Sequence, residues 1–429
     1  MPQQNPYIDR DDLLSLIRTE FVAYGNAHGQ NYKKLRSDLL SKLTDPGNVI
    51  AQRQHDGKPA ACAYQIWLEL GWLAKYCTDW NKANARLADL TKAMTNLDQD
   101  QIDPPQSAVD GSWGGCISEW YRKLEPTVDA LQVLPDSQNV NSLTFMAPFK
   151  DAQATLDRLW QLQISDIRST GRNNRDELGA MQTALSQLIF KDNLRDLLKD
   201  RIKELGFDVS QELEDVYSDF LSQTQHPRTG YWGPWYRIGG KLLQVQDLSF
   251  TFHIINYRQG NVANWSTIID TTLDIEPLIY PAGWTPSNGA KRSHHNNYDV
   301  ATIFALGWPH MIGEQKKTVR DRIRELLQWC LGEITTDGFK AEPDTAPADT
   351  YYYGVRFLDR LGFWDPQRRF WSRSAPDLPG WMGSPGKLAA LLLDKLTALN
   401  DHTSETATAT AILQTAKCAQ SAGAPTDDA

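Results

Sequence analysis

The run Asp337-Gly-Phe-Lys-Ala-Glu-Pro343, followed by Asp349-Thr-Tyr-Tyr-Tyr-Gly-Val-Arg-Phe-Leu-Asp-Arg-Leu-Gly362, carries the reading of the fold. Its first part is turn chemistry. Gly338 supplies a positive φ and Phe339 packs under the resulting hairpin. The second part opens with polar and aromatic residues and then turns apolar, so it predicts a helix whose first turns face a polar space while the rest is buried. Two earlier segments begin alike: Gln246-Asp-Leu-Ser-Phe-Thr-Phe-His253 and Asn297-Tyr-Asp-Val-Ala-Thr-Ile-Phe304.

Working outward, helical periodicity places helices near 210–223, 246–258, 263–274, 296–306, 315–333, 348–362 and 386–399. Asp247 or Ser249, Asn296 or Asn297, and Asp349 are the candidate N-caps of three of them. The 319–331 stretch is charged on one face and reads as an outer helix. An inexact repeat of about 45–55 residues follows, one helical hairpin per unit. Alternating inner and outer helices predict an all-α fold, an α/α toroid over 206–402, with an open solenoid as the alternative.

Residues 1–205 read as an additional N-terminal helical region. Leu13, Leu14, Ile17 and Phe21 share one helical face, and Tyr64, Trp67, Leu68, Trp72, Leu73 and Tyr76 share another. A third stretch, Ile117 to Leu131, is interrupted at Pro126. Helices are also predicted over 151–167 and 174–205, the latter as a solvated outer helix because its charges alternate in sign. No stretch alternates with period two for long enough to predict a substantial sheet. From Thr403 to Ala429 the chain is rich in Ala, Thr and Ser, and predicts a frayed or disordered tail.

The 429 residues suit two domains or one large helical ring. A hydrophobic share of 41% and a charged share of 23% belong to a globular chain. No apolar run is long enough to span a membrane. Met1-Pro-Gln-Gln-Asn-Pro6 lacks an apolar h-region, so with Met1 as the natural start a cytoplasmic protein is predicted. Net charge is −9 without a long basic run, which argues against a nucleic-acid partner. The five cysteines, Cys62, Cys77, Cys116, Cys330 and Cys418, form no CxxC pair and predict neither a disulfide framework nor a zinc site.

The Asp337 and Asp349 elements together resemble a repeat of the terpenoid cyclase and protein prenyltransferase superfamily, which joins a DGGF-like turn, a Pro-containing loop and a D-x-Y helix start. Asp110-Gly-Ser-Trp-Gly-Gly115 is similar to the DG-x-W-G element of cyclase repeats, and Thr229-Gly-Tyr-Trp-Gly233 is a looser match. The resemblance implies an α/α toroid and cation or acid–base chemistry on an apolar substrate. Zinc-dependent prenylation is not implied: Tyr352 stands where the family's zinc-binding His would be, and no Asp-x-Cys occurs. The cyclase Asp-x-Asp-Asp acid is approached only by Asp274-Ile-Glu-Pro277, and no DDxxD is present to hold magnesium. No cofactor or metal is predicted.

The densest polar cluster is Ser293-His-His-Asn-Asn-Tyr-Asp299. His295 can act as a base near neutral pH, with Asp299 one helical turn on to orient it. Tyr352 is the candidate proton donor, beside Tyr351. Asp247, His253, Asn296 and Asn297 are candidate substrate contacts. Trp232, Trp235 and Trp284 lie among Gly and Pro and read as loop aromatics that stack on a sugar or face a cation. Nine of the fifteen tryptophans fall between Trp232 and Trp381, which predicts an aromatic-lined cavity holding a small molecule or an oligosaccharide. Three functions are compatible with this pattern: a terpenoid cyclase or prenyltransferase-like enzyme, a carbohydrate-active lyase or hydrolase, and a non-catalytic binding scaffold. Oligomeric state is not encoded legibly.

Overall fold

The computed structural model describes residues 43–56, 80–94, 106–113, 123–133, 140–149, 151–170, 172–191, 209–287, 289–342, 345–372, 384–401 and 403–421, with isolated positions between 15 and 73 and at 194. The described chain is mostly helical, with a few short strands. It divides into two compact units: 1–226 with 232–246, and 227–231 with 247–429. The break therefore falls later than the expected boundary at 205/206.

In the first unit the helices are α1 (Thr44–His55), α2 (Trp80–Met94), α3 (Leu124–Val133), α4 (Ala152–Gln163), α5 (Arg175–Phe190) and α6 (Gln211–Thr224). Pro126 falls in the first turn of α3, where its missing N–H costs nothing. Near the start, Ala63, Ile66, Leu70 and Leu73 bury one helical stripe against Leu87 and Leu90 of α2. Of the face expected over 64–76, Leu73 is buried and Trp67 half-buried; Tyr64, Leu68, Trp72 and Tyr76 lie outside the described residues, as do Leu13, Leu14, Ile17 and Phe21.

Helix α5 corrects an expectation. It was read as a solvated outer helix, yet residues from Glu177 to Ile189 are buried along its middle. Several polar groups there are matched rather than exposed: Tyr217 Oη donates to the Gln182 backbone carbonyl at 2.9 Å and shares a 2.7 Å bond with Ser186. Glu177 is met by Arg158 and Arg172. Charge alternation identifies a solvated face only when the charges are unpaired.

A small sheet completes this unit. Strands β2 (Trp235–Ile238) and β3 (Lys241–Gln244) form an antiparallel hairpin with Ile238 opposite Lys241, and β1 (Ile164–Ser165) adds to β2 in parallel. The two-residue turn is Gly239-Gly240, with φ of 54° and 75°. Both values are positive, which is the twist a tight hairpin requires. Trp235 thus lies on a strand rather than in a loop.

In the second unit the helices follow the predicted spacing closely: α7 (Leu248–Tyr257), α8 (Trp265–Asp274), α9 (His294–Gly307), α10 (Gly313–Gly332), α11 (Pro347–Arg360) and α12 (Pro385–Ala398). The segment expected to be a frayed tail is a further helix, α13 (Ser404–Ser421), packed on α11 and α12. Its small Ala and Thr residues permit close helix approach, and Ala409 and Leu413 are fully buried. Residues 422–429 lie outside the described residues.

Helices α7, α9, α11 and α13 pack successively side by side. The first three run in the same direction: Phe252 meets Tyr298, Tyr298 meets Arg356, and Arg360 reaches Asn256. Helices α8, α10 and α12 are the intervening partners, and α10 buries one stripe, Gln315, Val319, Ile323, Leu326, Leu327, Cys330 and Leu331. The second unit is thus a row of sequence-alternate helices with the intervening helices packed against it. The turn between α10 and α11 is a short hairpin of β4 (Ile334–Thr335) and β5 (Gly338–Phe339).

Two cap assignments are corrected. Ser293 caps α9, its hydroxyl accepting the Asn296 N–H, so Asn296 and Asn297 fall inside the helix. Ala346 with Pro347 starts α11, which places Asp349 in the first turn. Asp247 caps α7 as read, accepting the Phe250 N–H at 3.0 Å.

Candidate functional site

Helix α9 is the centre of the second unit and is buried almost all round, which leaves His295 as its main accessible polar residue. About a third of the His295 side chain is accessible (35%), while Asp299, one turn below, has none. Their Nε2 and Oδ2 atoms lie 3.8 Å apart. Protein nevertheless encloses the imidazole tightly enough for burial to push its pKa down to about 4.

Burial pushes the Asp299 carboxyl well above the usual carboxylate range; a hydrogen bond from Tyr280 opposes this, and the nearby Asp247 charge adds to it. That bond, from Tyr280 Oη to Asp299 Oδ2, is 3.3 Å long. The other oxygen, Oδ1, has no protein hydrogen-bond partner, and neither does the Thr302 hydroxyl one turn deeper on the same face. Burial thus disfavours the charged form of both His295 and Asp299.

Two tyrosines pack on the imidazole, and a third backs one of them. Tyr353 lies against it with ring centroids 4.3 Å apart, and Tyr280 stands at 5.3 Å. Tyr352 meets Tyr353 edge-on at 4.9 Å. Burial pushes the Tyr353 phenol well above its ordinary value, with the Asp299 charge contributing. Asp349, Tyr352, Tyr353 and Arg356 share one face of α11 at helical spacing, all partly accessible, while Tyr351, Gly354 and Val355 are buried on the other. On α7, His253 stacks on Tyr257 at 5.7 Å, and both remain partly accessible.

Of the residues predicted from sequence, His295, Asp299 and Tyr352 come together, and Asp247 joins them electrostatically. His253 lies on the neighbouring helix α7. The rest have other work. Tyr351 packs edge-on against Phe339 at 5.2 Å, under the hairpin. Asn296 donates to the Trp284 carbonyl at 2.8 Å, and Trp284 packs on Phe304. Asn297 lies on the opposite side of α9 from His295, about 200° around the helix; it is 1% exposed, and neither amide atom has a protein hydrogen-bond partner. Trp232 and Trp235 belong to the first unit: Trp232 is buried and donates to the Leu221 carbonyl at 2.7 Å, and Trp235 packs on Trp160.

Sequence reasoning missed Tyr353, Tyr280 and Arg356. Tyr353 and Arg356 follow Asp349 by four and seven residues, a spacing that identifies a shared helix face once the true start of α11 is known. Nothing local marks Tyr280. A second group imitates a catalytic triad: Cys330 Sγ lies 3.7 Å from His294 Nδ1, and His294 Nε2 lies 3.8 Å from Glu342. Cys330 is 0% and His294 1% exposed. Burial raises the thiol and lowers the imidazole to about 3, so neither reactive form is favoured. This group is packing, completed by Trp329 and Phe339 around the ring.

Among the described residues no group of three or more His, Cys, Asp or Glu side chains is placed to hold a metal ion, and no helix is long and apolar enough to cross a membrane. No protein-family model matches the sequence, and no curated protein or solved structure is significantly similar to it.

Proposed function

We propose that the second unit carries the active site of an acid–base enzyme acting on a carbohydrate, on a wall of an α/α-toroid formed by the inner helices. The observation that carries this reading is the enclosed His295, accessible on one side, backed by Asp299 and flanked by Tyr353. A neutral imidazole at pH 7 has a nitrogen free to accept a proton. With Nε2 turned towards Asp299, Nδ1 is the atom that meets substrate. Asp299, with Oδ2 3.8 Å from Nε2, holds the ring and faces the positive charge as the imidazolium forms. The Tyr353 phenol, held against the ring, donates the compensating proton. Tyr257, Tyr280 and Tyr352 supply aromatic faces with polar tips, which suit sugar rings.

A second reading draws on Asp299 itself. A buried carboxyl with a raised pKa fits the proton donor of a terpenoid cyclase, the chemistry implied by the repeat resemblance. Arg356 weighs against it. A guanidinium on the same wall repels a carbocation by ~2–3 kcal/mol at ~6–8 Å with an effective dielectric constant of ~20.

The experiment is a turnover assay on neutral and acidic polysaccharides alongside isoprenoid diphosphates, with products weighed by mass spectrometry. His295→Ala and Tyr353→Phe are expected to lower carbohydrate turnover by about 10²- to 10⁴-fold, the usual worth of a positioned acid or base. Isoprenoid cyclisation dependent on Asp299, or carbohydrate turnover indifferent to both substitutions, overturns the reading.

A further inference from the structure

Arg356 is a partly accessible cation on this wall, and among the described residues no carboxylate forms an ion pair with it. Its guanidinium donates to Tyr298 Oη and, at 3.4 Å, to Tyr352 Oη. It lies over both rings, 5.1 and 5.4 Å from their centroids. Asp359 acts on it only at longer range and is itself paired with Arg368 at 2.8 Å. Arg292 in the same unit shows the ordinary arrangement, an enclosed guanidinium paired with Glu276 at 3.0 Å. Two phenol oxygens cannot occupy five N–H donors. The tyrosine faces fix the plane of the guanidinium without neutralising it, and a planar fork held this way matches a carboxylate with two parallel hydrogen bonds.

We propose that Arg356 receives the carboxylate of a uronate, so that the substrate is an acidic polysaccharide and the reaction a β-elimination. The inference rests on the acid–base reading of His295 and Tyr353. Neutralising the carboxylate makes the adjacent C5–H more acidic, because negative charge moves onto the carboxylate oxygens as the proton leaves. His295 takes the C5 proton. The electron pair of the C5–H bond becomes the C4=C5 double bond, the C4–O4 bond breaks, and O4 takes a proton from the Tyr353 phenol. Imidazolium and phenolate then return to their neutral forms by proton transfer. No water, metal or oxidant is consumed, and the two product masses add up to that of the substrate.

The test uses the full chain with polygalacturonate, alginate and hyaluronan as acidic probes, dextran sulfate as an anion without carboxylate, and dextran as a neutral chain. Binding is read by calorimetry and turnover by the ultraviolet absorbance of the new double bond. At least one polyuronate should bind and yield unsaturated product, and Arg356→Met should weaken its binding by about 10- to 100-fold. Arg356→Lys, which keeps the charge but loses the fork, should recover only part of it. Circular dichroism checks that both variants are folded. Polyuronate affinity unchanged in Arg356→Met, a preference for dextran or dextran sulfate, or no polyuronate binding overturns the inference. Arg356-dependent polyuronate binding with product formation indifferent to His295→Ala leaves the anion site standing and removes the acid–base reading. Turnover of dextran that needs His295 but not Arg356 does the reverse.

Discussion

His295 Nε2 and Asp299 Oδ2 are 3.8 Å apart on consecutive turns of one helix, the imidazole partly open to solvent and the carboxyl sealed beneath it. The helix fixes their spacing, so the pair is preorganised without substrate. Asp299→Asn keeps the shape and removes the carboxyl that faces the ring as the imidazolium forms. Turnover is expected to fall by about 10²-fold or more, with substrate binding nearly unchanged, because the amide fills the same space as the carboxyl. A kcat–KM split on the active polysaccharide measures this. A variant impaired only in KM would place Asp299 in binding instead.

His294, the neighbour on the sealed side, makes a prediction about stability. Its imidazole is held down at about 3 by burial, against an ordinary 6.5. The unfolded chain therefore takes up this proton as pH falls below 6.5, while the folded chain refuses it until near 3. The contribution is fully present above 6.5 and is lost across that interval, with a slope approaching ~1.4 kcal/mol per pH unit. His294→Gln lacks the proton site, so its stability deficit should narrow as pH falls from about 7 to about 5. Urea midpoints at each pH measure the gap. Parallel curves would mean that the folded ring titrates normally.

The second unit was legible because its helices announce themselves by period and spacing; the site was legible only where sequence neighbours are also spatial neighbours. His295 and Asp299 are such a pair. Tyr353 and Arg356 share a helix face with Asp349 and Tyr352, but the sequence does not say which neighbour that face meets. Tyr280 reaches Asp299 from a loop, and no local pattern encodes that contact. The β2–β3 hairpin was missed because four-residue strands give too few alternations, although Gly239-Gly240 marked the turn. Tryptophans among Gly and Pro suggested a lining, yet Trp232 and Trp284 are buried structural residues.

The hairpin below α11 depends on Gly338. Its φ is 97°, and a Cβ there would stand 1.8 Å from the Tyr351 hydroxyl oxygen. Gly338→Ala therefore combines backbone strain with a clash, and a loss of about 1–3 kcal/mol is expected from the backbone alone. Adding Tyr351→Phe removes the clashing oxygen. The double variant should recover part of the loss in thermal unfolding, and purely additive effects would show that the oxygen is not the obstacle.

Helix α13 makes the C-terminal segment part of the fold. Ending the chain at residue 403 uncovers the faces of α11 and α12 on which it packs and removes the buried Leu413. Destabilisation of at least about 2–5 kcal/mol is expected, the range for one buried leucine side chain. Because α11 carries Tyr353 and Arg356, activity should fall together with the melting temperature. A truncated chain with unchanged melting would return this segment to the status of a tail.

Asn297 is the last residue whose chemistry and surroundings disagree. It is 1% exposed, and neither its amide oxygen nor its amide nitrogen has a hydrogen-bond partner in the protein. A buried amide left in this way costs about 1–3 kcal/mol, and an apolar side chain of similar volume removes the penalty. Asn297→Leu should therefore raise the urea midpoint or leave it unchanged. Because the residue lies on the side of α9 away from His295, turnover should also be preserved. A fall in stability would mean that the amide is satisfied by something other than protein atoms. A fall in turnover at constant stability would mean that the active wall extends behind α9, with Asn297 as part of it.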